Sequence, residues 1–293
     1  MADASAKQVS GDAGLGLMLR AAVPALPVIG QLPGVRKAPA DSFTGLSVER
    51  PPVTVEREHV ERYAEVCVFP SKDTVPFTYP HLLAFPMHLA MMTEREFPAP
   101  AVGTVHLENT ITGHRPIAIG ETLEVSAAVG APRAHPKGTI YDFTTEVRSG
   151  ADVVWESTST YLRRGKGDPS ASSGSSFPDA PPTGVVWRLP ADLGRRYAAV
   201  SGDRNPIHLY AVTAKAFGFP RQIAHGMWTL ARCVAALENR LPNAVRVDVA
   251  FKKPVLLPGS VAFGSAPVSE GYAFSLTRPK DGAPHLVGRT TAL

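Results

Sequence analysis

Cysteine is nearly absent from this 293-residue chain: Cys67 and Cys233 stand far apart, outside any CxxC or His-paired spacing. Two isolated thiols exclude a disulfide framework and a cysteine-rich zinc site and fit a reducing compartment, so both read as small buried apolar residues. Long apolar runs are missing as well. Leu15 to Leu19 and Ala21 to Ile29 are apolar clusters, but Arg20, Pro24 and Pro27 interrupt them, leaving no stretch of about 20 apolar residues for a membrane-spanning helix. The start also lacks the basic region and clean apolar block of a signal peptide. Residues 1–47 are therefore expected to form a partly irregular strap on the domain surface, in a cytoplasmic protein. Excess charge is small: 30 Lys and Arg against 26 Asp and Glu give a net +4. Such a balance suits an anionic ligand and, without an RNP-like aromatic motif, zinc-finger spacing or a dense basic helix, makes no case for nucleic acid. No nicotinamide loop, P-loop or metal-ligand cluster is present. Apolar side chains are plentiful: at 44% hydrophobic and 19% charged, a chain of this length can bury the cores of two ordinary domains.

The chain aligns with itself. Arg62-Tyr63-Ala64-Glu65-Val66-Cys67 parallels Arg196-Tyr197-Ala198-Ala199-Val200-Ser201, Tyr79 to Met87 parallels Phe219 to Met227, and Arg115-Pro116-Ile117-Ala118-Ile119 with Gly120 parallels Lys253-Pro254-Val255-Leu256-Leu257 with Gly259. Three matches in one order imply two copies of one fold. The copies are read as 48–164 and 185–293, joined by a flexible Ser- and Gly-rich linker over 165–184. Each reads as a short helix, an irregular excursion, a longer helix and then strands. In the second copy Ala191 to Val200 and Met227 to Arg240 are helical. Strands are expected at Val245 to Phe251, Ser260 to Pro267, Ala273 to Thr277 and His285 to Thr291. The first copy supplies a helix over Leu82 to Met92 and strands at Val105 to Thr112, Glu121 to Val129, Thr139 to Val147 and Val153 to Leu162. Edge-to-edge pairing of the copies would hide two exposed strand edges and make one chain the analogue of a dimer; a further homodimer stays open.

The differences between the copies locate the chemistry. Ser201-Gly202-Asp203-Arg204-Asn205-Pro206-Ile207-His208 places a carboxylate and an imidazole five residues apart across two turns, where neither is expected on regular helix. Together they can hold one water, the minimum equipment for adding water to a carbon–carbon double bond or removing it. Ile223-Ala224-His225-Gly226-Met227 then opens an apolar helix whose glycine can offer a backbone N–H to a developing oxyanion. The first copy has Val68-Phe69 in place of Gly202-Asp203, no Asn-Pro-x-His segment, and Phe85-Pro86 in place of His225-Gly226. Proline has no N–H to donate, so that copy is read as non-catalytic.

Tyr197 with Ser201-Gly202-Asp203-x-Asn205-Pro206-x-His208 and Ala224-His225-Gly226-Met227 resembles the motif of the MaoC-like dehydratases, the (R)-specific enoyl-thioester hydratases. The whole length is similar to the two-hot-dog 3-hydroxyacyl-thioester dehydratases of actinobacteria. The resemblance implies an α+β double hot-dog, each half an antiparallel sheet wrapped round a central helix, and a lyase that interconverts trans-2-enoyl and (R)-3-hydroxyacyl thioesters of coenzyme A or acyl carrier protein in fatty-acid metabolism. It assigns Asp203 and His208 to the water, the Gly226 N–H to the oxyanion, and supporting places to Asn205, Ser201 and His225. Asn205 fixes the turn and is a candidate bond to His208; His225 shapes the helix start. Phe85, Met87, Met91 and Met92 of the inactive half would border an acyl pocket. No cofactor or metal is required. Two other readings remain: a hot-dog acyl-thioesterase, for which the long helix carries only Glu238 near its far end, and an acyl-chain-binding subunit. Acyl length, carrier, pathway direction and the identity of the formal base are not legible in the residues.

Overall fold

The computed structural model describes residues 7–9, 16, 17, 20 and 37–293. Most of the expected strap, with nearly all of both apolar clusters, lies outside the described residues. In chain order the elements are β1 (Lys7–Gln8), β2 (Leu46–Glu49), β3 (Val53–Thr54), α1 (Arg57–Cys67), α2 (Pro80–Thr93), β4 (Thr104–Gly113), β5 (Thr122–Val129), β6 (Arg133–His135), β7 (Gly138–Ser149) and β8 (Asp152–Arg164). They continue with β9 (Pro182–Leu189), α3 (Leu193–Ser201), α4 (Pro206–Leu209), α5 (Ala211–Ala216), α6 (Gly226–Leu237), β10 (Val245–Phe251), β11 (Gly259–Val268), β12 (Gly271–Thr277) and β13 (Pro284–Ala292).

Two compact units divide the chain, one from 1–53, 80–106 and 122–174, the other from 54–79, 107–121 and 175–293. In the first, the strands run β1-β2-β5-β7-β8, antiparallel except for the parallel pair β1 and β2. Their residues alternate as half-buried strands must: Leu123, Val125, Ala127 and Val129 point inward from β5 while their neighbours are more exposed. The inward face meets α2, which contacts β2, β5 and β7. That helix is apolar nearly all round, with Leu82, Leu83, Met87, Leu89, Met91 and Met92 all buried, as a core helix should be.

In the second unit β4-β10-β13-β12-β11-β9 is antiparallel throughout. The strand that follows the long helix in each copy pairs with its counterpart, from Val245 opposite Gly113 to Ala250 opposite Glu108. The compact units thus interleave across the sequence repeat, because α1 and most of β4 come from the first copy and build the second unit. Here α6 packs on β12, and α1 touches both α3 and α6. Both cysteines are buried and unbridged; burial pushes both thiols well above their ordinary range.

Two expectations need correction. β9 begins at Pro182, inside the span read as linker, because Val185, Val186 and Trp187 pair with β11. The linker is also pinned rather than loose. Ser175 donates from its N–H and Oγ–H to Glu108, at 2.6 and 3.0 Å, and Ser275 Oγ–H donates to the carbonyl of buried Ala180 at 2.7 Å.

Candidate active site

The site grows from the end of α3. Gly202 takes φ 73°, left-handed backbone that suits glycine, and its N–H closes the helix on Ala198 O. Three short-range bonds then fold the next residues. Ser201 Oγ accepts from the Asp203 N–H at 3.2 Å, Asp203 Oδ1 from the Asn205 N–H at 3.1 Å, and Asn205 Oδ1 from the Ile207 N–H at 3.4 Å. The last of these caps α4, with Pro206 in the first helical position where its missing N–H and fixed φ do no harm. His208 therefore lies on a single helical turn, contrary to the expectation that it could not be helical. The expected Asn205 bond to the His208 ring is replaced by the capping bond, since His208 Nδ1–H donates instead to Ile223 O at 2.8 Å.

That bond decides the tautomer: with Nδ1 protonated in the neutral ring, Nε2 carries the lone pair. Burial holds His208 below its ordinary value of 6.5, with Asp203 and the Ile223 carbonyl pulling the other way. A buried, neutral imidazole with one unprotonated nitrogen is a proton acceptor. Asp203 retains some solvent contact, and its carboxylate lies within 4.8 Å of nitrogens of both His208 and His225. One water bonded at about 2.8 Å to each partner spans such a gap.

His225 stands at the N-cap position of α6, where its side chain makes no capping bond. Its Nε2–H donates to the Asp203 carbonyl at 3.0 Å, and its ring lies over that of His208 with centroids 3.7 Å apart. Burial, reinforced by His208, holds it well below the ordinary histidine value. Like charge on both rings at this separation is unfavourable, which adds to the burial that favours the neutral forms. Gly226 is the first residue of α6, where a backbone N–H has no intrahelical acceptor. A Cβ there would meet the Phe251 ring at 3.3 Å, so a larger residue would require that ring to give by a few tenths of an ångström. Asp203, His208 and His225 are also the group among the described residues that could ligate a metal; hydration chemistry requires none.

Two positioning residues escaped the sequence reading. His59 on α1 donates from Nε2–H to Val200 O at 2.8 Å and accepts from Tyr79 Oη–H at 2.7 Å, bracing the last turn of α3. Its clue was its place on the first copy's equivalent of α3. Gly194 lets the α4 backbone press against α3, where any side chain would strike the His208 carbonyl. Of the expected pocket residues, Met87, Met91 and Met92 are buried on α2 and Phe85 is partly exposed. His88 on the same helix shares a bond with Thr145 Oγ1 at 2.9 Å, and burial holds it well below the ordinary histidine value.

Comparison with known proteins bears on the family and the fold. The family model described as "MaoC like domain" matches residues 178–271. The chain is 39% identical over 284 residues to 3-hydroxyacyl-thioester dehydratase X of Mycobacterium tuberculosis, covering 96% of this chain and 98% of that protein. The crystal structure of HtdX from the same organism superposes with a TM-score of 0.75 and 38% identity over 85% of this chain and all of that one. A MaoC-like dehydratase from Phytophthora capsici, 19% identical, shares the fold with a TM-score of 0.70 over 87% of this chain and 98% of that one.

Proposed function

The chain belongs to the MaoC-like dehydratases, an α+β double hot-dog family, and from that premise we propose that Asp203, His208 and Gly226 carry its hydro-lyase chemistry. The reaction interconverts trans-2-enoyl thioesters and (R)-3-hydroxyacyl thioesters in fatty-acid metabolism. The observation that supports this most is the gathering of the Asp203 carboxylate with ring nitrogens of His208 and His225 within 4.8 Å of one another, next to the residue that opens α6.

In hydration the dyad takes a proton from its water as the oxygen bonds to C3. The π electrons of the C2–C3 bond shift toward the thioester carbonyl, and the resulting enolate oxygen accepts the Gly226 N–H at the positive end of α6. C2 then recovers a proton from the dyad, which returns to its starting state. Dehydration is the same path reversed. Asp203 and His208 act as one coupled base. His225, Ser201 and Asn205 hold its geometry by the bonds described above. Phe85, Met87, Met91 and Met92 complete the proposal as determinants of acyl length.

The test is incubation with trans-2-enoyl-CoA, following loss of the conjugated enoyl absorbance together with any free thiol. Hydration without thiol release is expected, and Asp203→Asn or His208→Gln should each lower kcat by about 10²- to 10⁴-fold while the circular dichroism spectrum is kept. Thiol release would favour a thioesterase. That alternative needs a carboxylate on the central helix, and α6 carries none; Glu238 follows it and is paired with Lys72 at 2.9 Å.

A further inference from the structure

The excursion that carries the catalytic pair has an unusual surface. Between Leu193 and His225 the cations are Arg195, Arg196, Arg204, Lys215 and Arg221, and the one acid is Asp203. Arg195 donates to Leu209 O and lies over the Tyr210 ring, and Arg196 faces Glu65 at 3.9 Å. Arg204, Lys215 and Arg221 are exposed, with no ion pair among the described residues. Large apolar side chains stand among them: Val212 is 80% exposed, Tyr210 55% and Phe217 43%. A six-residue helix carrying such side chains into water, within a single-sign field, has the makeup of an interaction surface rather than a solvated face. It is also fastened to the site, since Thr213 Oγ1–H on α5 donates to Pro206 O at 2.6 Å, at the head of the turn that holds His208.

We propose that α5 and its flanks form the docking surface for an acidic, helical acyl carrier protein, which presents the enoyl thioester to the neighbouring site. This rests on the hydratase reading above and deepens it by naming the carrier. Charge complementarity selects the partner. The phosphates of coenzyme A would satisfy the cations but give Val212 and Phe217 nothing to bury against, whereas an acidic amphipathic helix answers both. A second copy would set cations against cations in a two-fold contact.

The experiment compares the wild-type full chain with Val212→Asp and Lys215→Glu, both exposed and outside the reacting groups. The substrates are one enoyl chain carried either on acyl carrier protein or on coenzyme A. The expected result is a fall of at least tenfold in kcat/KM for the carrier-protein substrate with the coenzyme A rate kept within twofold. Wild-type turnover of the carrier-protein substrate should also decline more steeply with salt. Equal losses on both substrates, or on neither, overturn the proposal. So does a wild type that hydrates only the coenzyme A substrate, which leaves the hydratase reading intact. A variant that sediments as a smaller species, or that loses binding to anionic phospholipid vesicles while keeping the carrier-protein rate, also overturns it. Failure of the wild type on both substrates removes the hydratase reading as well.

Discussion

At the scale of single residues, the site depends on neutral imidazoles held in place by backbone carbonyls. Because burial lowers His208, the acid limb of kcat/KM should fall below pH 6.5, the ordinary histidine value; a limb at or above it would contradict a buried neutral base. Stability follows the same sign. His208, His225 and His88 are all depressed in the folded protein, so the unfolded chain binds more protons in acid. Their contribution is complete above pH 6.5 and is lost as pH falls from there toward the folded values. Chemical denaturation across that window should show a declining unfolding free energy, and replacing His88 should flatten the decline. At this scale the turn that carries Asp203 and the helix start at Gly226 were legible, because both are set by neighbouring residues. His59 was not, because its bonds to Tyr79 and Val200 join segments far apart in the chain.

At the scale of elements, α1 and α3 both end on left-handed backbone, supplied by different residues. Val68 ends α1 at φ 63°, almost the angle Gly202 takes at the end of α3, although valine is β-branched. Left-handed backbone costs an L-residue about 1–2 kcal/mol, and glycine gives back about 0.5–1 kcal/mol through its freer unfolded state. Val68→Gly should therefore raise the unfolding free energy by up to about 1 kcal/mol, read from denaturant midpoints; a clear loss would show that the exposed valine side chain is itself required. The long helices differ in a related way. α6 starts at Gly226, while α2 starts at Pro80 and runs straight through Pro86, the residue aligned with Gly226. The degenerate copy thus lacks both the donor and the helix end that would aim it. The sequence reading already carried this helix from Leu82 through the proline to Met92, and α2 extends it only to Pro80 and Thr93. β9 was missed because its apolar residues follow a polar, Ser-rich run that reads as coil until β11 pairs with it.

At the scale of the whole molecule, the repeat was legible from three aligned blocks, but the compact units were not, because strand exchange is set by pairing rather than by order. Most of β4 and all of α1 belong to the unit that holds the site. A fragment beginning at Ser175 would expose the β10 edge and lose the His59 brace, so it should neither fold cooperatively nor hydrate enoyl-CoA. Adding a separate 1–174 fragment should restore both, and a fully active isolated fragment would show that the first copy is dispensable. The proposed function turns on one water shared by Asp203 and His208, and a double-mutant cycle tests that most directly. Hydration of an enoyl-CoA is measured for Asp203→Asn, His208→Gln and the pair of substitutions together. If the two groups act as one base, the double variant should be about as slow as the slower single variant. Losses that multiply, so that the double variant falls by the product of the two, would mean that the groups act independently.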